Sequence, residues 1–191
     1  AARRELITRL TAEFEQAAAR RTDTLIDTVL AARCPSLPEP AASTPRFSLK
    51  LRDIRLLSEF THDDLLAIDE LILLLDPAQP PALDAVPPLL AKRLRVALPA
   101  ILREPDIVAL RPVLLALCAT GQRRWEVANI GGFHLLREAD DAADAPPLDL
   151  TADWSLYTLN TAAASAWIDL GVRRFVLSPE DDGENLLALC A

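Results

Sequence analysis

Six side chains in the 191-residue sequence have the types and placement to do chemistry at one place: Lys50, Asn129, Asp153, Asn160, Ser178 and Glu180. Asp153 and Glu180 would form a carboxylate pair, suited to general acid–base work or to holding a metal ion. Ser178 is a candidate nucleophile, but a serine needs a base within hydrogen-bond reach. Only His62 and His134 exist, and neither lies in a nucleophile-elbow pattern such as GxSxG. Asn129 and Asn160 could bind substrate amide or carbonyl groups, and Lys50 could contact an anion at the mouth of a barrel. Each has a bland alternative. Ser178 would cap the next helix with Glu180 in its first turn, where the helix dipole favours an acid, and this is the stronger reading of Ser178. Turn and N-cap duty would account for Asn129 and Asn160. Lys50 on an edge strand would simply be solvated. His134, between Phe133 and Leu135, reads as a packed histidine, and the bare Gly131-Gly132 lacks the GxGxxG pattern.

These residues share a rim only if strands deliver them there. The stretch 149–180 reads as strand, helix, strand. An extended run from Leu148 to Tyr157 ends at Asn160, an N-cap residue. Ala163, Ala166, Trp167 and Leu170 then recur on one helical face, and Gly171 sits where a helix terminates in a left-handed residue. Val172 to Leu177 is a short apolar run halted by Ser178-Pro179-Glu180. A βαβ unit requires a parallel sheet with a right-handed crossover. Its strand tips send Asp153, Asn160, Ser178 and Glu180 toward one edge, where α/β proteins keep their sites.

The same rhythm begins at Arg46. FSLKLRD (47–53) alternates apolar and polar residues, and DELILLLD (69–76) is a continuous apolar run, the mark of a strand buried on both faces. RLRVALP (93–99) and RWEVAN (124–129) supply two more strands. Helices are expected over 54–60, before Lys92, over 105–119 with Pro112 starting a new turn or a kink, and from Gly131 through Leu136. The acidic stretch 138–147 reads as loop. Six strands alternating with helices give an α/β domain with a mainly parallel sheet: an open sheet, or a partial barrel, since a full (β/α) barrel takes eight units.

Residues 3–33 form a long helical pattern, followed by four prolines in the twelve residues 34–45, a stiff linker. Three units result: a helix over 1–33, a linker over 34–45 and the α/β domain over 46–191. The arginines of the helix suggest RNA contact, but Glu5, Glu13, Glu15 and Asp23 interleave with them and favour a solvated, self-paired face. A formal charge of −8 argues against a broad nucleic-acid surface. Cys34, Cys118 and Cys190 have no metal-binding spacing and read as reduced thiols of a cytoplasmic protein. No segment has the apolar length of a membrane span. The absence of Met and a helical pattern cut short over 185–191 suggest a piece of a longer polypeptide.

RWEVANIGGFHLL, followed by DLTADWSLYTLNTAAASAWIDLGVRRFVLSPEDD, resembles the collagenase-like peptidase family of unknown catalytic type, numbered thirty-two in its class. The likeness lies in Asn129-Ile130-Gly131 after a strand, the helix started by Asn160, the Gly171-Val172 step and Leu177 to Glu180. ALPAILRE (97–104) is similar to a Leu-Pro-Ala-Ile stretch of larger members, and RRELITRL (3–10) to the tail of their inserted accessory domain. The resemblance implies a (β/α)-barrel-like catalytic module. Relatives divide between proteases, some linked to collagen breakdown, and hydroxylases of tRNA, ribosomal RNA or a ubiquinone precursor. For the hydroxylases it implies a 4Fe–4S cluster, whose cysteines would lie outside this chain.

Three function classes therefore stand as expectations. The first is a collagenase-like peptidase acting on a protein or peptide. The second is an iron–sulfur hydroxylase acting on RNA or a quinone precursor. The third is a non-catalytic half-barrel completing a partner. An open barrel should also expose strand edges, so the chain is expected to self-associate.

Overall fold

A computed structural model of the protein describes residues 8–9, 11–17, 20, 46–79, 83–141 and 145–185. The chain separates into two compact units, Ala1–Pro38 and Glu39–Ala191. In the first, the described residues of helix α1 (8–9, 11–17 and 20) are exposed, and Arg9 pairs with Glu13 one turn on. The rest of the expected helix over 3–33, the Pro-rich linker over 34–45, Cys34 and Cys190 lie outside the described residues.

The second unit is an α/β domain. Its strands are β1 (Ser48–Leu51), β2 (Glu70–Leu74), β3 (Leu94–Ala97), β4 (Arg124–Val127), β5 (Asp149–Ala152) and β6 (Val172–Phe175). They form one six-stranded sheet in the order β1-β2-β3-β4-β5-β6, with every pairing parallel. The connections carry helices α2 (His62–Ala67), α3 (Pro88–Ala91), α4 (Glu104–Ala119), α5 (Ile130–Asp141) and α6 (Thr161–Asp169). This is a partial, unclosed (β/α) barrel.

The two faces of the sheet differ in kind. Leu71, Leu73, Val96, Trp125, Val127 and Leu150 belong to the apolar core with Leu110, Leu114, Phe133 and Leu136 of helices α4 and α5. The alternate strand positions turn away from the helices. They carry Lys50, Glu70, Arg95, Glu126, Asp149, Thr151 and Arg174.

Side-chain bridges show that this charged face is concave. Lys50 on β1 reaches Asp153 beyond β5 at 3.1 Å. Four strand intervals of about 4.8 Å separate those strands along the sheet, far beyond a lysine's length, so the sheet must curl. The register carries Lys50 through Ile72 and Arg95 to the row of Asp149, and Asp153 stands four residues further on. One residue of stagger per strand is the shear of an eight-stranded parallel barrel.

Several element boundaries differ from expectation. The extended run expected over 148–157 stops at Ala152, because Asp153 accepts from the Ser155 N–H and caps a 3-10 turn over Trp154–Leu156. Helix α5 continues to Asp141 rather than ending at Leu136, since Ala139 adds another buried turn to its core face. Helix α4, by contrast, keeps its expected span to Ala119 and runs through Pro112. The pairing of β5 with β6 shifts register between Leu150 and Thr151. Without it Arg173 would stand opposite Thr151; with it Arg174 does, and its Nε donates to Thr151 Oγ1 at 3.1 Å.

Candidate functional site

The polar side chains of the concave face divide into two groups. The first is closed. Arg95, with 0% of its surface exposed, donates from Nε to Glu70 Oε1 (3.0 Å), from Nη1 to the Trp125 and Asp149 carbonyls (2.9 and 2.8 Å), and from Nη2 to Asp149 Oδ2 (2.9 Å). Arg174 Nη2 donates to the other oxygen of Glu70 at 2.5 Å. Every guanidinium nitrogen of Arg95 is used, so Arg95 holds strands together, while Arg174, with 45% of its side chain in solvent, is the accessible member of the group.

The second group is open. Lys50 Nζ donates to Glu126 Oε1 at 2.6 Å and to Asp153 Oδ1 at 3.1 Å. Glu126 is 1% exposed and Asp153 is buried, whereas 41% of the Lys50 side chain meets solvent. Two of the three ammonium protons have protein partners; the third has none among the described residues. Burial pushes the Glu126 carboxyl above its ordinary value, with Lys50 opposing and Asp153 reinforcing the shift. Burial alone would lower Lys50, but its bonds to Glu126 and Asp153 outweigh it and raise the ammonium above 10.5. The cluster is therefore a cation lying over two acids, with the cation as its accessible member.

Asp153 extends the cluster to the rim. Ser155 Oγ lies 2.7 Å from Asp153 Oδ2 and 2.8 Å from the Ala128 carbonyl, joining the ends of β4 and β5.

The other expected site residues follow strand ends at the same edge of the parallel sheet but have different duties. Asn129 donates from Nδ2 to the Pro99 carbonyl (2.8 Å) and the Ala100 carbonyl (3.2 Å), and its Oδ1 accepts from the Gly132 N–H at 2.7 Å. It ties the loop after β3 to the first turn of α5. Gly132 is buried there, and a Cβ on it would come within 3.2 Å of Leu98 Cδ1. Asn160 accepts from the Ala163 N–H at 2.8 Å and caps α6. Ser178 is buried and its Oγ accepts from the Glu180 N–H at 3.2 Å, which makes it a turn residue. The following helical turn is started instead by Asp182, whose Oδ1 accepts from the Asn185 N–H. Glu180 is exposed. Lys50 lies on an edge strand yet is ion-paired, and its partners are acids of its own chain.

Glu126 escaped the sequence reading, as did Glu70, Arg95 and Arg174. Their signal was the presence of charged residues inside otherwise apolar strands, ELILL, LRVA, RWEV and VRRF.

The described residues supply no set of ligands for a 4Fe–4S cluster. Among the described residues Cys118 is the cysteine present, buried in α4 with burial raising its thiol above 9.0. No group of three or more His, Cys, Asp or Glu side chains that could hold a metal ion occurs among them. No helix among the described residues is long and apolar enough to cross a membrane.

No family model, no curated protein and no solved structure matches the chain. The likeness to collagenase-like peptidases thus rests on the residues quoted for it.

Proposed function

We propose that the domain is the substrate face of a (β/α)-barrel hydrolase that cleaves peptide bonds. The observation that carries this reading is the Lys50–Glu126–Asp153 cluster at the carboxyl end of the sheet, the edge at which barrel enzymes do their chemistry. Lys50 would hydrogen-bond the scissile carbonyl oxygen through its remaining N–H, keeping the proton, and stabilise the negative charge that develops there. Glu126 would accept a proton from the attacking water and pass it to the departing amine, a role suited to a carboxyl whose affinity for protons is raised. Asp153 would hold the ammonium in place. Glu180 would border the site, and Ser178 would shape the turn that presents it.

The test is incubation of the purified chain with gelatin and a mixed peptide substrate, with new amino termini read by mass spectrometry. Lys50→Met and Glu126→Gln should each abolish cleavage while circular dichroism stays unchanged. Cleavage that survives both changes, or no cleavage by the parent chain, would overturn the reading.

The open sheet favours a second reading, in which the domain is one part of a barrel completed by a partner. Strands β1 and β6 each have one neighbour and are more exposed than the four strands between them. Self-association belongs to this reading: light scattering should show dimers or larger species, and a uniform monomer would count against it.

A further inference from the structure

The loop between β5 and α6 carries features that neither core nor cap accounts for. Trp154 and Tyr157 meet edge to face, ring centres 6.3 Å apart at 77°. Both stay in solvent, 38% and 51% exposed. Tyr157 has φ +48° and ψ +49°, the left-handed region that a bulky residue seldom adopts. It is the one described non-glycine residue with positive φ. Backbone strain of this kind persists where surrounding structure enforces it, and it concentrates at ligand-binding sites. Next to it, Thr158 is buried and its Oγ1 has no hydrogen-bond partner among the described residues. The loop starts at Asp153, the partner of Lys50.

A second loop fixes the charge of this surface. Asn185 donates from Nδ2 to the Leu159 carbonyl at 2.7 Å and to both carboxylate oxygens of Asp181 at 2.8 Å. The turn after β6, with Glu180, Asp181, Asp182 and Glu184, is thereby held beside the aromatic loop. A phosphodiester chain would be repelled there, whereas a basic side chain would be attracted.

We infer that this loop is a subsite for a peptide side chain: Trp154 and Tyr157 seat an aromatic residue beyond Asp153, the partner of Lys50, and the acidic turn after β6 receives a neighbouring basic residue. Large rings offer contact area at small cost in conformational freedom, which suits them to binding. The inference deepens the hydrolase reading, because it names the sequence such an enzyme would prefer.

The test uses the full chain and three fluorescein-labelled octapeptides of Gly and Ser containing Arg-Phe, Arg-Ala or Asp-Phe, with an octamer RNA for comparison. By anisotropy the Arg-Phe peptide should bind about tenfold tighter than the other two peptides and the RNA. Trp154→Ala and Tyr157→Asn should remove that preference. Asparagine tolerates the left-handed backbone, and Tyr157→Gly provides a second variant free of strain. Glu126→Gln should keep the preference. Equal binding of the three peptides, stronger binding of the RNA, or an unchanged preference in folded Tyr157→Asn and Tyr157→Gly would overturn the inference. The two readings fail separately. Selective binding without cleavage would remove the hydrolase alone, and cleavage indifferent to Phe or Ala would remove the subsite alone.

Discussion

Arg174 on β6 donates to Glu70 on β2 at 2.5 Å, although four strand intervals separate them along the sheet. Glu70 also accepts from Arg95, so one carboxylate binds β2, β3 and β6 together across the concave face. An isolated pair of this kind contributes little where solvent reaches it. Here the carboxylate is buried and flanked by fixed donors, and removing one partner strands the other in a dry interior.

Arg95→Met is therefore expected to destabilise the domain by about 3–5 kcal/mol. The guanidinium is wholly buried, and its loss leaves Glu70, Asp149 and two carbonyls short of donors. Urea unfolding followed by tryptophan fluorescence measures this, and a shift below about 1 kcal/mol would show that the network is dispensable.

Asn129 separates structure from substrate contact. Asn129→Ala removes the acceptor for the Gly132 N–H and two donors to the loop after β3, and should cost about 1–2 kcal/mol. Asn129→Asp restores the cap but not the donors, and should fall between Ala and the parent in thermal melts. Equal melting temperatures for all three would leave Asn129 free for a ligand.

Asn160→Ala should cost about 1 kcal/mol through loss of the bond to the Ala163 N–H, and Asn160→Ser should recover most of it. Helix content by circular dichroism and the unfolding midpoint report both. Peptide cleavage at constant stability should be the same in Asn160→Ser and the parent, as a cap requires.

Stability should vary with pH in opposite senses at the two ends of the scale. Lys50 binds its proton more tightly in the folded chain, so its contribution is complete below 10.5 and is lost as pH rises through the higher folded value. For Asp149, burial acts to raise the carboxyl but Arg95 and Arg124 outweigh it and hold the group below 3.8. Its contribution is present above 3.8 and is lost as pH falls through the lower folded value. Glu126 behaves in the opposite way to Asp149: with its folded value raised by burial, its contribution is complete below 4.5 and is lost as pH rises through the higher folded value. Lys50→Met should flatten the alkaline limb and Asp149→Asn the acid one in melting temperature against pH. Limbs that survive these changes would assign the proton linkage elsewhere.

Local signals in the sequence sufficed for the alternation of strands and helices, the parallel sheet, the cap at Asn160 and the common edge to which the strand tips point. These follow from period-two and helical patterning, from capping side chains and from glycine's tolerance of left-handed backbone at Gly171, all properties of residues close together in the chain. The capping of the turn by Asp153 and the length of α5 were less legible, because a few atoms of packing or one hydrogen bond decide where an element stops.

The charged pairings were decided by tertiary structure alone. Lys50 and Asp153 lie 103 residues apart, and Glu70 and Arg174 lie 104 apart. No local pattern matches a lysine to its acid over such distances; the match arises because a staggered, curled parallel sheet turns every second strand residue into one interior. That curvature buries Glu126 and Asp153 beneath Lys50, and makes Lys50 the accessible face of the cluster.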